Sequence, residues 1–492
     1  SQTLTFTAAD HGRKAAAAMT VNKAYRNLRC RVTDASQTPA VVGCSTDSFA
    51  VRPQALTVSS TNANADPSGS SVSATPTFKA GGDSFNLTAT ALAGYDGTPE
   101  IDPGKIEAHS GGATGTVSGG FSAANPASGV AQGDAFSYSE VGYLRFEAEG
   151  VYDDAFTAVD QPGDCTDDFS NSLTGGKYGC KFGNTASTPY FGRFIPDHFT
   201  LTAGALTAAC TAAAPPFSYM GQPFQSLAAT VEARNAGDVK TQNYTGGFAR
   251  ASLAWVAENA DNRLSVPAPS PLWSNGSYSL STGSAVFRRA SPDDPDGPFD
   301  SLQLGLRVTD PDGVTLSGRD MNAASAGPCA PACDAKAVAG PTSVRFGRLR
   351  LQNAHGSELR ALPLTLRTEY WNGSGFVLNG ADACTSLNAA DFSFSNWQGN
   401  LNAGETALAP GGPWTAAGGS FTGLRLTAPG AGNQGSVDVT VGLGARPWLR
   451  GRWDDAADPD GNGDTMHDDD AAARATFGIY RDRLIYRREV TR

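Results

Sequence analysis

Apolar and polar residues alternate with a period of two in short segments along most of the chain. Such alternation is typical of strands that bury one face and leave the other in water. Turn residues bound the segments, as at Asp310-Pro311-Asp312-Gly313. The clearest alternating sets are Phe85, Leu87 and Ala89; Leu227, Ala229 and Val231; Leu302, Leu304, Leu306 and Val308; Leu362, Leu364 and Leu366; Val437, Val439, Val441 and Leu443. The pattern predicts an all-β protein of tandem immunoglobulin-like antiparallel β-sandwich domains with disulfide-closed loops.

Local patterns add detail to this prediction. The segment Trp371–Phe376 places an Asn-Gly turn between two aromatic residues and predicts a hairpin tip. In Val344–Leu351 the apolar positions change parity at Gly347, which predicts a bulge there. Residues Gln2–Ala8 are predicted to form an exposed strand edge, and Phe477–Tyr486 a final hairpin.

Length and composition divide the chain into several domains. At 492 residues it is too long for one core, and Gly 57, Pro 29 and only 17% charged residues favour short strands and many turns. The predicted units are residues 1–52, the end of an upstream β domain; 53–160, a sandwich; 161–198, a disulfide-closed connecting segment; 199–340, a sandwich; and 341–492, a C-terminal sandwich with a calcium-type loop. The start at Ser1 without a signal sequence fits either a removed signal or a fragment.

Charge argues against a nucleic-acid partner, and hydropathy argues against a membrane-spanning segment. The net charge of -11 argues against a nucleic acid, for which a basic stripe is the expected footprint. No apolar run of about 18 residues is present, so a membrane-spanning segment is not expected.

The eight cysteines form an even set with short spacings. Loop length alone predicts the pairs Cys30–Cys44, Cys165–Cys180, Cys329–Cys333 and, by what is left, Cys210–Cys384. A zinc site at Cys329 and Cys333 is the alternative for the shortest spacing. Four disulfides would place the chain in the periplasm, on the cell surface or outside the cell.

An acidic, glycine-containing segment near the C-terminus is the best candidate metal site. Its proposed calcium ligands are Asp458, Asp460, Asn462, Asp464 through its carbonyl, and Asp469 at the closing position. Gly463 stands where a calcium loop makes its sharp turn. The flanking residues are β-rich, so calcium chemistry is expected without an EF-hand fold. The alternative is a solvated acidic turn without an ion.

Enzyme motifs are weak. Gly430–Gly435 matches a dinucleotide fingerprint as a string, but a strand follows it where a helix is needed, which indicates a turn. His198 follows Asp197, and neighbours on a strand face opposite ways, so the two are not expected to cooperate.

Acidic pairs and tryptophans supply two further candidates. The pairs Asp153-Asp154 and Asp167-Asp168 could serve glycoside hydrolysis only across one cleft, and are interpreted as exposed turns. Four tryptophans near Gly, Ser and Asn are either sugar platforms or core residues: Trp255, Trp273, Trp397 and Trp414.

Four stretches, in this order and spacing, resemble the large β-rich region of MshQ-like proteins, which are associated with mannose-sensitive haemagglutinin type IV pili of Gram-negative bacteria. They are Tyr138–Tyr143 with Tyr152–Asp154; Gly192–Phe199; Arg345–Leu351 with Glu369–Gly373; and Ala475–Tyr480 with Ile485–Glu489. The resemblance implies a secreted or surface protein that works with pili, and it brings no catalytic residues.

Three functions follow as hypotheses. The first is a non-catalytic extracellular adhesion or pilus-accessory protein, a stalk or tip stiffened by disulfides and calcium. The second is a structural subunit of a filament or sheath that self-associates through strand edges such as Gln2–Ala8. The third is a polysaccharide-active enzyme. The expected partners are pilus or filament proteins and surface glycans.

Overall fold

The computed structural model describes residues 1–260, 262–269, 272–453 and 466–478. Within these ranges the regular structure is strand, apart from short 3-10 turns at Ala8–Asp10, Pro103–Lys105, Gly246–Phe248, Ala389–Asp391 and Pro447–Leu449. None of the described helices is long and apolar enough to cross a membrane.

The N-terminal segment is small and mostly exposed. Its strands are β1 (Tyr25–Leu28), β2 (Arg31–Asp34), β3 (Val41–Cys44) and β4 (Phe49–Val51), with β1 paired to β4 and β2 to β3. The predicted strand edge at Gln2–Ala8 is wrong. The Asp10 carboxylate accepts hydrogen bonds from the Thr7 amide and hydroxyl, which caps a 3-10 turn instead.

The first sandwich follows this segment directly. Its strands are β5 (Thr57–Ser59), β6 (Phe78–Lys79), β7 (Phe85–Thr90), β8 (Glu100–Ile101), β9 (Ile106–Ala108), β10 (Val117–Ser118), β11 (Val130–Tyr138), β12 (Gly142–Phe146), β13 (Val151–Asp153), β14 (Phe182–Gly183) and β15 (Phe191–Ile195). One sheet has the order β10-β11-β7-β5, a second β6-β15-β12-β9, and a third β14-β13-β8. Buried aromatic rings, including those of Phe85, Phe136 and Phe194, pack in its core.

The second sandwich begins after Pro196 and Asp197. Its strands are β16 (His198–Thr207), β17 (Phe217–Tyr219), β18 (Ser226–Arg234), β19 (Ser252–Ala257), β20 (Leu264–Ser265), β21 (Ser277–Thr282), β22 (Val286–Phe287), β23 (Phe299–Leu302), β24 (Leu304–Thr309), β25 (Lys336–Ala337) and β26 (Thr342–Arg345). Its sheets have the orders β16-β18-β21, β17-β26-β23, β19-β24-β25 and β20-β22.

The third sandwich begins after Phe346. Its strands are β27 (Gly347–Leu351), β28 (Ala354–Gly356), β29 (Leu362–Pro363), β30 (Leu366–Trp371), β31 (Phe376–Leu378), β32 (Ser386–Leu387), β33 (Phe392–Gly399), β34 (Trp414–Thr415), β35 (Arg425–Leu426), β36 (Gly435–Val441) and β37 (Ala471–Phe477). Its sheets have the orders β27-β30-β31, β28-β37-β36-β33, β29-β35 and β32-β34. Trp371 pairs with Phe376, so the predicted hairpin is confirmed.

All three sandwiches share one parallel strand pairing. In each, a short early strand pairs in parallel with the closing strand: β6 with β15, β17 with β26, and β28 with β37. The other strand pairs are antiparallel in the described ranges. In the first sandwich, β5, β7, β11 and β10 occupy the positions of immunoglobulin strands A, B, E and D, and β9, β12 and β15 those of C, F and G. The predicted all-β fold of tandem immunoglobulin-like sandwiches is confirmed.

The structure divides the chain differently from the composition. The segment predicted to connect two sandwiches, 161–198, contains β14 and β15, which complete the first sandwich. Likewise β26 closes the second sandwich, so its last strand ends at Arg345 and not at residue 340. The parity change at Gly347 is therefore a passage from one sandwich into the next, and the predicted bulge is wrong: one strand ends at Arg345 and another begins at Gly347.

Candidate functional site

The junction between the first and second sandwiches contains a buried carboxylate. Glu140, 7% exposed, accepts hydrogen bonds from the backbone amides of Gln242 (2.9 Å) and Asn243 (3.1 Å) of the second sandwich. In return, the Asn243 side-chain amide donates to the carbonyls of Ala113 (2.8 Å) and Val141 (3.0 Å). Burial raises the pKa of Glu140 above its usual value. These groups keep their partners only while the two sandwiches stay docked.

A buried ion pair lies at the same junction. Arg193 on β15 is 1% exposed, and its guanidinium donates to both carboxylate oxygens of Asp312 in the second sandwich. Arg250 also donates to Asp312, at 2.8 Å. The Arg193 Nε donates to the Ala74 carbonyl at 3.0 Å, so the side chain is held from both sides of the junction.

The second and third sandwiches are linked covalently as well as through Phe346. The Cys210–Cys384 disulfide joins the segment after β16 to the third sandwich, across 174 residues of sequence. Close to it, the Tyr219 hydroxyl on β17 donates to Asp382 at 2.8 Å. The Asn379 side chain donates to the same Tyr219 oxygen at 2.7 Å.

Asp382 is completely buried and organises its own turn. Its carboxylate also accepts hydrogen bonds from the backbone amides of Cys384 and Thr385 (both 2.9 Å) and from the Thr385 hydroxyl (2.6 Å). Burial and the neighbouring Asp382 carboxylate raise the pKa of Tyr219 well above its usual value. The tyrosine therefore stays protonated and donates across the junction.

Arg289 of the second sandwich makes a further contact with the third. Its guanidinium donates to the carbonyls of His467 (2.9 Å), Gly347 (2.9 Å) and Trp448 (2.8 Å), and lies 4.0 Å from the ring centroid of Phe346. Burial lowers the pKa of Arg289 to about 10, which leaves it charged at neutral pH. One cation thus anchors three separate backbone segments.

Each junction also holds a buried histidine. The ring of His109 in the first sandwich lies 4.2 Å from that of Phe248 in the second. In the third sandwich, the His467 ring lies 5.3 Å from Phe346, and its backbone amide donates to Pro292 of the second at 2.9 Å. Burial lowers the pKa of both histidines below 6.5.

These shifts predict a loss of stability on acidification. Between the lowered folded pKa and about 6.5, the unfolded chain binds more protons at these histidines than the folded chain, so their contribution falls as pH falls. We expect the difference in melting temperature between the wild type and His109→Gln/His467→Gln to shrink from pH 7.5 to pH 5.5, as measured by calorimetry. Parallel curves over that range would contradict the prediction.

Three of the four predicted disulfides form in the described chain: Cys165–Cys180, Cys210–Cys384 and Cys329–Cys333. The last bond replaces the alternative zinc site. Cys30 and Cys44 are both free and exposed, so the fourth predicted pair is wrong. Cys44 pairs with Arg31 across the hairpin, while the Cys30 carbonyl accepts from the Ser45 amide. Cys30 and Cys44 are therefore one position out of register, on opposite faces of the ribbon.

Four of the five proposed calcium ligands, Asp458, Asp460, Asn462 and Asp464, lie outside the described residues. Asp469 is described: its backbone pairs with Gly451, and its carboxylate accepts from the Trp453 amide at 3.0 Å. Within the described ranges no group of three or more His, Cys, Asp or Glu could hold a metal ion. The calcium site therefore stays a prediction.

Two interpretations of possible catalytic groups are corrected. Asp153 is buried, not exposed, and accepts from the Tyr95 hydroxyl (2.5 Å) and from two backbone amides, which is a structural role. His198 does bond Asp197, at 2.9 Å, because Asp197 precedes β16 and the alternation of a strand does not apply to it. Both side chains are occupied, since Lys79 pairs with Asp197 and Asp238 with His198.

A cleft of about 580 Å³ lies between β4 with the residues after it and the loop closed by Cys165–Cys180. Its lining includes the exposed rings of Phe49 and Tyr178. Sequence reasoning missed both residues and pointed to tryptophans. Trp273 and Trp414 are core residues, 3% and 7% exposed.

Comparison with known families now places the chain. Residues 169–336 match the third domain of DUF6701, and residues 345–490 match its fourth domain. The chain carries two DUF6701 domains. The fourth-domain match begins at Arg345, one position from the passage into the third sandwich. The third-domain match takes in the Cys165–Cys180 loop from residue 169 and ends at β25 of the second sandwich. The matches support the predicted resemblance at the level of the DUF6701 family, and neither match names MshQ-like proteins.

Similarity to curated proteins and to solved structures is low. No curated protein matches the chain. The adhesin InvE of Yersinia pseudotuberculosis is 14% identical, with a TM-score of 0.20, and the match covers 57% of this chain and 60% of the adhesin, less than two thirds of its length. The I67–I69 fragment of titin is 7% identical, with a TM-score of 0.24 and coverage of 80% and 91%. At these scores the similarities carry no conclusion about this chain.

Proposed function

We propose that this chain is a non-catalytic extracellular adhesion or pilus-accessory protein, in which stiff junctions between sandwiches form a stalk for a contact surface. The observation that supports it best is the junction built by Cys210–Cys384 and by Tyr219 with Asp382. Domains in one chain move relative to each other unless their interface is extensive. Here, opening the junction would leave buried polar groups without their hydrogen-bond partners, which costs free energy. The disulfide bond also opposes that opening.

The remaining parts of the proposal have separate support. Three disulfides in the described chain favour an oxidising compartment, and hence export from the cell. The link to pili rests on the resemblance to MshQ-like proteins. The non-catalytic character is supported by the structural use of Asp153, Asp197 and His198.

Small-angle scattering tests the stalk. The wild type is expected to scatter as one rigid body, whereas Cys210→Ala/Cys384→Ala/Tyr219→Phe should show a broader distribution of distances between the second and third sandwiches. The matched control, Cys329→Ala/Cys333→Ala, removes a disulfide within the second sandwich and should scatter like the wild type. A wild type that already requires a flexible ensemble would refute the stalk.

We also propose that calcium stiffens the C-terminal loop. The backbone pairing of Gly451 with Asp469, and the bond from Trp453 to Asp469, hold the last predicted ligand beside the residues that precede the first one. Closing the ends of a segment lowers the entropic cost of gathering its oxygen ligands around one ion. Four carboxylates in a short span repel one another unless a cation offsets their charge.

Calcium should therefore raise the melting temperature of the wild type. Binding to the folded state alone stabilises by about 2.7 kcal/mol when free calcium is 100 times the dissociation constant. In calcium, Asp460→Ala should melt at a lower temperature than the wild type. In chelator, the two should melt at the same temperature, as followed by differential scanning fluorimetry. An equal drop in melting temperature in calcium and in chelator would assign Asp460 a structural role. A wild type whose melting temperature does not change with calcium would refute the proposal that calcium binds.

A filament subunit is the second candidate function. Among the described strands none pairs with the outer edge of β21, Ser277–Thr282, whose residues are uncharged and include no proline. In the first sandwich the equivalent strand, β11, is covered by β10 and by Ser122, which bonds the Gln132 carbonyl. Natural proteins usually protect such edges because they pair with other chains.

Sedimentation velocity separates the two functions. A filament subunit should associate with rising concentration, and Ser279→Lys, which places a charge on the open edge, should abolish that association. Ser118→Lys, an exposed serine of the covered strand pair, is the control. A wild type that stays monomeric at every concentration would exclude the filament subunit and leave the stalk as the remaining function.

A further inference from the structure

We propose that the cleft between β4 and the Cys165–Cys180 loop is a carbohydrate-binding site. It involves the first sandwich and the N-terminal segment, and does not depend on the stiffness of the junctions that follow. The chain could be a rigid stalk that binds no sugar, or it could bind a sugar while its junctions are flexible. The two proposals can therefore fail separately.

The floor of the cleft is fixed by a single arginine. The Arg52 guanidinium donates to the carbonyls of Gly179 (2.6 Å), Ser170 (2.8 Å) and Pro53 (2.7 Å), and to the Asn171 side chain (2.9 Å). Three of these four acceptors belong to the disulfide loop. Burial lowers the pKa of Arg52 from its usual high value. Arg52 thus ties the loop to the chain just after β4.

Further bonds hold the two walls in place. The Ala50 amide on β4 donates to the Asp160 carboxylate at 2.7 Å, and the Asn171 amide returns a hydrogen bond to the Gln54 carbonyl at 2.9 Å. The Cys165–Cys180 bond closes the loop that carries Asn171. A site whose walls are set in advance loses little conformational entropy when a ligand binds.

Each wall presents an aromatic ring to solvent. Phe49 on β4 is 44% exposed, and Tyr178 in the disulfide loop is 53% exposed. Most aromatic side chains of the first sandwich are fully buried instead, including Phe85, Phe136 and Phe182. An exposed ring offers a flat apolar face beside polar groups, and this combination suits the apolar C–H face of a sugar ring.

Three polar groups of the cleft are left for a ligand. In the described structure the Lys177 ammonium, the Gln54 side-chain amide and the Tyr178 hydroxyl make no hydrogen bond or ion pair within the chain. All three residues line the cleft. Asp164 lies with them, and among the described residues its carboxylate accepts only from the Gln161 amide, at 3.1 Å. The cleft therefore supplies donors and acceptors side by side, as a polyhydroxylated ligand requires.

The same lining disfavours an apolar peptide anchor. Apart from the two rings, Val51 is the largest aliphatic side chain in the lining, and it is half-buried. Peptide recognition usually needs a deep apolar pocket or an open strand edge for main-chain pairing. β4 pairs with β1 along one edge, and its Ala50 amide is already bonded to the Asp160 carboxylate, so it is not free for main-chain pairing with a peptide. The shallow, mixed surface fits an oligosaccharide better.

A glycan array, followed by saturation-transfer NMR on the positive glycans, tests the proposal on the full chain. The wild type should bind, and Phe49→Ala/Tyr178→Ala should lose at least tenfold in affinity. Phe6→Ala is the matched control, because that ring is 54% exposed and lies outside the cleft. Near-ultraviolet circular dichroism of each variant shows whether its fold is retained.

Lys177→Gln distinguishes the kind of sugar. A loss confined to glycans with a carboxylate or sulfate would assign an acidic oligosaccharide, and equal binding would assign a neutral one. A wild type that binds no glycan on the array, or binding that survives loss of both rings, would overturn the proposal. The scattering test of the stalk is unaffected by either result.

Discussion

Replacing Asp382 with alanine is expected to lower the free energy of unfolding of the third sandwich by several kcal/mol, since each buried donor left without its partner costs about 1–3 kcal/mol. The carboxylate is completely buried and accepts hydrogen bonds from Tyr219, from the Cys384 amide, and from the amide and hydroxyl of Thr385. Without it, these donors lose their partner where water cannot replace it. Urea unfolding followed by tryptophan fluorescence measures the loss.

Two single-bond variants separate the junction from the turn. Tyr219→Phe removes the bond that crosses between sandwiches, whereas Thr385→Val removes one within the third sandwich. Each should cost about 1.5–3 kcal/mol, since the acceptor is a carboxylate. Only Tyr219→Phe should also speed protease cleavage between the second and third sandwiches. Equal cleavage of both variants would show that Asp382 acts on its own turn alone.

Replacing Glu369 with glutamine is the second change with a large expected effect, about 3–5 kcal/mol. Glu369 on β30 has a side chain only 1% exposed and faces three arginines: Arg348 at 2.7 Å, Arg367 at 2.7 Å and Arg350 at 3.5 Å. A neutral amide would leave three positive charges close together with no counter-charge, and Arg348 is itself largely removed from water.

The matched control is Glu107→Gln. Glu107 pairs with Arg145 at 2.7 Å, but both side chains are about a third exposed, at 38% and 31%. Water screens such a pair, so this change should cost at most about 1 kcal/mol. If both substitutions cost the same in chemical denaturation, burial does not set the strength of the Glu369 cluster.

The arrangement of charges in the two ion pairs shows what sequence reasoning could reach. Glu107 and Glu369 both stand on strands with mixed polar neighbours, and nothing local marks the second as buried. Register decides the matter: Arg348 is directly opposite Glu369 across β27 and β30, and Arg350 is opposite Arg367. Cross-strand pairing of this kind depends on which strand lies alongside.

Prediction succeeded where the cause was local. Alternation at Phe85–Ala89 and Leu227–Val231 corresponds to strands β7 and β18, whose buried positions follow the predicted period. The hairpin at Trp371–Phe376 is equally local, because the Asn372 side chain accepts from the amides of Ser374 and Gly375. The disulfide bond Cys165–Cys180 also followed from short spacing.

Prediction failed where the outcome depended on distant residues or on one step of register. Cys30 and Cys44 are close in sequence, yet the pairing of Arg31 with Cys44 turns the two thiols to opposite faces. The passage at Gly347 looked like a bulge because parity does not reveal that β26 completes one sandwich and β27 begins the next. The cleft draws Phe49 and Tyr178 together across more than 100 residues of sequence.

The sequence by itself determined the strands, the turns and the all-β class, because steric preferences and the partition between water and core act on each residue and its neighbours. Only the tertiary structure decided the junctions and the cleft. Tyr219 and Asp382 are 163 positions apart, and Arg52 and Gly179 are 127 apart. Such pairs form because docked sheets exclude water from particular polar groups, and that exclusion is a property of the packed chain.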